Sequence, residues 1–242
     1  MPNGVRVIQA DGLDVFQAGA RAWVSKDEIR AGGVVVSLAN AEARGLGVPR
    51  NVGYPTADVG RRGRDLLDAL NIEVSSDHGE AFARAFPGLA EAGGLRGARA
   101  LLEALHHGDS GRAEEASLEL AGRGPGLTPD GDDLLAAAAA ATIAFEHPVG
   151  LPSETAGSLR TALLPADLDR RTGALSATLL RLAVKGDVID QVRSLLDLST
   201  SQQEWERALT RLRRIGHGTG RTYAVGCALA ALSLSHHLPV GD

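Results

Sequence analysis

Asp130, Asp132 and Asp133 stand in "GRGPGLTPDGDD", residues 122–133, together with four glycines and two prolines. An alanine-rich run, "LLAAAAAATIAF", follows directly and favours helix. Carboxylates in a first helical turn complement the helix dipole, and Thr128 followed by Pro129 reads as an N-cap and first helical residue. That accounts for the acids but not for Gly122, Gly124, Gly126 and Gly131, because a glycine in a helical turn costs about 1 kcal/mol against alanine. A backbone that turns tightly, or one that admits a ligand closely, accounts for them. In the second case Asp132 or Asp133 holds a divalent cation such as Mg²⁺, while Thr128 and the backbone at Gly124 and Gly126 hold an anion. The Lys-Ser/Thr pair that closes a P-loop is absent, so a nucleotide loop is not indicated.

Two further helix starts carry similar chemistry. In "RRTGALSATLLRLAVKG", Arg170 and Arg171 precede Thr172, with Ser176 one turn further on. Two arginines at a helix entrance oppose the dipole; a bound anion would offset that, and a solvated loop pair is the alternative. In "GHGTGRTYAVGCALAA", Gly216, Gly218 and Gly220 alternate with His217 and Thr219, and Arg221 follows. Such a loop can form a concave nest of N–H groups. His217 is the candidate proton carrier, since imidazole titrates near neutrality.

The intervening segments decide whether these starts meet. One returning helix near 153–164 lies between the first and second, and residues 187–214 can return as one bent unit. Up-and-back packing therefore places all three entrances at one end of a helical bundle. Arg171, Thr172, Ser176, Gly218, Thr219 and Arg221 would there join Gly124, Gly126, Thr128, Asp132 and Asp133 around a small, oxygen-rich anion. Helices are expected over 128–146, 153–164, 173–184, 188–198, 202–214 and 219–236. The stretches "EHPVGLPSE" and "LLPADLDRRTG" read as loops.

The first third differs. "VRVIQ" and "LDVFQ" flank an Asp-Gly turn, and "RAWVS" and "GGVVVSLA" are further short β-type runs. The reading is an α+β chain: a mostly antiparallel β region over residues 1–75, then a helical domain over 76–242.

Composition narrows the function classes. The 242 residues are 44% hydrophobic, enough for a sizeable core, and the net charge of -5 forces no basic nucleic-acid face. Lys26 and Lys185 are the only lysines, so arginine supplies nearly all positive charge. Aromatics at 3% disfavour a base-stacking platform. Cys227 is the sole cysteine and sits in an apolar run, where it reads as a small buried hydrophobe. No signal peptide or membrane span is read, and a cytoplasmic location is expected.

The three blocks, in this order, resemble the AllH-like family, which includes a subunit of the oxamate carbamoyltransferase of allantoin breakdown. The blocks "GRGPGLTPDGDD", "TGALSATLLRLAVKG" and "GHGTGR" carry the likeness, over about residues 120–230. Asp130 departs from the pattern, which has serine there. The resemblance implies carbamoyl transfer between carbamoyl phosphate and a small amide acid, with other carbamoyltransferase subunits as partners; a homo-oligomer is also open. The alternatives are a non-catalytic assembly or ligand-sensing subunit, and a Mg²⁺-dependent phosphotransferase or hydrolase.

Overall fold

The computed structural model describes residues 21–39, 47–72, 83–216 and 218–236. The chain divides into two compact units, over residues 3–45 and 46–242. In the first, β1 (Ala22–Val24), β2 (Glu28–Ala31) and β3 (Val34–Ser37) form an antiparallel sheet in chain order. Ala31 pairs with Val34, so Gly32 and Gly33 make a two-residue hairpin turn. β1 and β3 fall on the β-type runs of the sequence. β2 lies on "EIRA", whose two charges obscure any hydrophobic alternation. The hairpin expected around residues 10–12 lies outside the described residues.

The second unit is helical and begins earlier than residue 76. Its first helix, α1 (Thr56–Ala69), buries Val59, Gly60, Gly63, Leu66 and Leu67. Those residues recur every three or four positions and form one face, although flanking prolines and glycines give the region a loop-like look. The chain continues through α2 (Pro87–Glu91), α3 (Leu95–His107), α4 (Ser110–Leu120), α5 (Asp130–Phe145) and α6 (Ser153–Ala162). It ends with α7 (Leu168–Arg171), α8 (Ala174–Ala183), α9 (Asp190–Leu196), α10 (Gln202–Leu212) and α11 (Thr219–Leu234). The one-turn α7 occupies a segment expected to be loop.

The core is built on α5 and α11. Every residue of α5 is buried, as are most of α11. A helix buried on all sides shows no amphipathic stripe, and its small side chains set how near its neighbours come. A Cβ added at Gly226 of α11 would lie 2.7 Å from the Ala137 Cβ of α5. One at Gly63 would lie 2.9 Å from the Ala228 carbonyl, so α1 sits equally close on another face of α11. α8 packs against α5, and α4 pairs with α3 and contacts α6. At the far end of α5, the buried Asn51 amide donates to the carbonyls of Ala144 (3.0 Å) and Leu196 (2.9 Å). Its oxygen accepts the Leu198 N–H at 2.9 Å. These bonds fix the frame that brings three helix entrances together at the other end.

Candidate functional site

The entrances of α5, α8 and α11 are joined by side-chain hydrogen bonds centred on the first turn of α5. Asp132, 2% exposed, accepts the Gly122 N–H through Oδ1 at 2.8 Å. Its Oδ2 accepts from Ser176 Oγ at 2.7 Å and from Thr172 Oγ1. Thr172 and Ser176 flank the start of α8, so Asp132 ties the second entrance to the first. Thr222, in the first turn of α11, donates to Asp130 Oδ1 at 3.0 Å. The hydroxyls of Thr128 and Thr219 lie 2.8 Å apart. These two contacts bring in the third entrance.

Two glycines make the close approach sterically possible. A Cβ on Gly131 would run into the Leu120 carbonyl, and one on Gly122, at φ +76°, into the Arg171 carbonyl. A Cβ on Gly124 would come 2.8 Å from the Asp130 amide nitrogen, while Gly126 borders open space. Gly218 is the N-cap of α11. None of the three entrances has a side-chain cap bond. The N-cap of α5 is Pro129, one residue later than expected, and the Thr128 hydroxyl reaches across to Thr219 instead of capping.

Asp133 behaves differently from its neighbour. It is 3% exposed, and its Oδ2 is buried without a hydrogen-bond partner. Burial, followed by the nearby Asp130 and Asp132 carboxylates, pushes its pKa up to about 9, against a partly offsetting hydrogen bond from Thr128. At neutral pH it is therefore a protonated carboxylic acid. Asp132 has both oxygens committed to protein donors, so of the two aspartates expected to bind a cation only Asp133 retains an oxygen without a donor. Among the described residues, no group of three or more His, Cys, Asp or Glu side chains is arranged to hold a metal ion.

The arginines correct the dipole argument. Arg170 and Arg171 occupy the last turn of α7, where positive charge complements the dipole, and not the first turn of α8. Arg171 donates from Nε to Asp167 Oδ1 at 2.6 Å and from Nη1 to the Leu118 carbonyl at 2.8 Å. Its place beside Thr172 thus has a structural explanation. Arg221 does lie in the first turn of its helix, α11, and donates to the Ala85 carbonyl at 2.7 Å. Burial and then the neighbouring Arg213 pull its pKa down, while Asp130 acts in the opposite sense. His217 lies outside the described residues.

Thr222 is a site residue the sequence reading missed. It sits three residues after Thr219, on the same face of α11, and that spacing was the available signal. Cys227 is buried, and burial pushes its thiol up to about 12.

Residues 120–231 match the family model described as oxamate carbamoyltransferase subunit AllH. The AllH match covers α5, α8, α11 as far as residue 231, and every hydrogen bond that joins their entrances. No curated protein and no solved structure matches the chain. Asp130 accepts from Thr222 and places a second carboxylate beside Asp133.

Proposed function

We propose that the chain is a subunit of an oxamate-carbamoyltransferase-like enzyme, binding carbamoyl phosphate or a small carboxylate or amide acid at the converging entrances. One observation carries the reading: within the segment that matches AllH, three helix entrances without side-chain caps are joined through Asp130 and Asp132, and the adjacent Asp133 keeps a buried oxygen without a hydrogen-bond partner. Entrances without side-chain caps present a positive dipole end, which favours phosphate or carboxylate, although the Gly131 and Gly220 N–H groups are already given to the Arg123 and Ile215 carbonyls. Arg221 adds a fixed cation nearby. Protonated Asp133 donates to a ligand oxygen, and when ionised it accepts from an amide N–H.

In the reaction, the amide nitrogen of the acceptor attacks the carbamoyl carbon, the C–O bond to phosphate breaks, and phosphate leaves with the electron pair. Donors held in place before the reaction stabilise charge on the departing phosphate. His217, which stands between Gly216 and Gly218 in the sequence, is assigned as the proton carrier for the attacking nitrogen because imidazole titrates near neutrality. Other carbamoyltransferase subunits complete the enzyme.

The test is phosphate release from carbamoyl phosphate, with and without oxamate, by the full chain alone and together with its partner subunits. Oxamate-dependent release that is lost in His217→Ala and Asp133→Ala supports the reading. Release that is unchanged in both variants refutes the assignment of the site.

A further inference from the structure

Among the described residues, two buried side-chain atoms without a hydrogen-bond partner, His106 Nδ1 and Ser233 Oγ, belong to adjoining residues of α3 and α11. Ser233 stands at the end of α11 away from its entrance. Orphaned buried polar atoms are uncommon in folded proteins and point to a bound water or ion.

The backbone draws imidazoles together at this place. The Ser233 carbonyl accepts a bond from the His106 ring and, at 3.1 Å, the backbone N–H of His236. The His106 ring centroid lies 4.7 Å from that of His236 and 4.8 Å from that of His107, with the rings near right angles. His236 is exposed, so its ring can turn a nitrogen towards His106. A metal ion about 2.0–2.1 Å from each of two imidazole nitrogens, at a tetrahedral angle, sets the ring centroids about 5 Å apart. The His106 and His236 rings already stand close to that separation.

The electronics agree. A ring nitrogen given to a backbone carbonyl fixes the tautomer and leaves the other nitrogen with a lone pair, as in metal-ligating histidines. Burial, then His236 and His107, pull the His106 pKa down, so the ring is neutral at pH 7 and no proton has to leave. α3 ends at His107 and α11 at Leu234, and helix C-terminal ends favour a cation. Glu103, one turn back on α3, is paired with Arg112 at 3.8 Å. Among the described residues no third His, Cys, Asp or Glu is arranged to join, so water fills the remaining positions.

We propose that His106 Nδ1 and a ring nitrogen of His236 bind a divalent transition metal such as Zn²⁺, Ni²⁺ or Cu²⁺, which clamps the C-terminal end of α11 to α3. Both histidines lie outside residues 120–231, so the site is a feature of this chain beyond the matched segment. The 16 residues of α11, at 1.5 Å each, put it about 24 Å from the entrance. A metal there fixes the fold and takes no part in chemistry at the entrances. The site is independent of the transferase reading.

The experiment titrates the tag-free full chain, stripped with chelator, by calorimetry and thermal melts at pH 7.5. The probes are ZnCl₂, NiCl₂ and CuCl₂, with MgCl₂ as a hard-cation control. One equivalent of at least one transition metal should bind with micromolar affinity, raise the melting temperature by several degrees and be released by EDTA; Mg²⁺ should do neither. His106→Gln and His236→Asn should each weaken binding roughly tenfold or more, and His107→Gln should leave it unchanged. Asparagine tolerates the φ of +56° at His236, and metal-free melts check that each variant keeps its fold. Should a variant not fold, Ni²⁺ broadening of the wild-type histidine ring signals in NMR decides, with His106 and His236 broadened first.

The proposal is overturned if no transition metal binds at sub-millimolar concentration, or if either ligand variant keeps wild-type affinity. It is equally overturned if His107→Gln loses as much as they do, or if the broadening centres on other histidines.

Discussion

Replacing Asp133 by asparagine keeps the side-chain shape and removes only the ionisable group, so it isolates the electrostatics of the α5 entrance. The unfolded chain ionises Asp133 above its ordinary pKa of 3.8, whereas the folded chain holds the proton up to about 9. The contribution of this group to stability is therefore complete below the unfolded value and is lost as pH rises towards the folded value. Between those limits the unfolded state is favoured by about 1.4 kcal/mol for each pH unit. From pH 5 to pH 8 the wild type should lose up to ~4 kcal/mol through this residue, an upper bound because the site relaxes. Asparagine has no such slope. Urea denaturation of both proteins at pH 5, 6, 7 and 8 measures the difference directly. Asp133→Asn should gain stability relative to wild type steadily with pH and be the more stable protein at pH 8. Parallel stability curves would show that Asp133 is already ionised in the fold, and the electrostatic account of the site would fall.

Ser176→Ala removes one of three donors from buried Asp132 and should cost about 1.5–3 kcal/mol in urea melts at pH 7. Gly131→Ala should give insoluble or unfolded protein, because its Cβ meets the Leu120 carbonyl; Gly173→Ala, with open space around it and no positive φ, should stay folded with a near-wild-type melting temperature. Cys227 should resist alkylation at pH 8 in the folded protein and react at a rate set by unfolding, since its thiol is buried and titrates at about 12. Prompt modification of native protein would contradict its placement in the core.

The helical pattern was legible wherever caps, glycines and prolines punctuate it, and the meeting of the three entrances followed from alternation of forward and return helices. Helix α1 was misread because Pro55 and the surrounding glycines resemble turn chemistry, while its buried face includes Gly60 and Gly63, which carry no hydrophobic signal. Strand β2 was missed for a related reason: Glu28 and Arg30 break the apolar run, and only pairing with its neighbours identifies it. At the site, sequence could not separate Asp132 from Asp133. The difference arises from partners 10 to 44 positions away, Gly122, Thr172 and Ser176, which satisfy one carboxylate and leave the other without. Arg171 was misassigned because a single helical turn, α7, ends just before Thr172 and reverses the sign of the dipole it meets.

The most direct test of the account is the response of the isolated chain to its ligand. Melting temperature is measured against phosphate, carbamoyl phosphate and oxamate for the wild type, Arg221→Ala and Asp133→Asn. A ligand at 100 times its dissociation constant stabilises the fold by about 2.7 kcal/mol, a rise of several degrees for a chain of this size. The account predicts that rise for at least one of the three anions in the wild type and a clear reduction in both variants, neither of which should unfold the protein. An equal rise in all three proteins would place the anion elsewhere, and no rise at millimolar concentration in the wild type would contradict the converging entrances as a binding site.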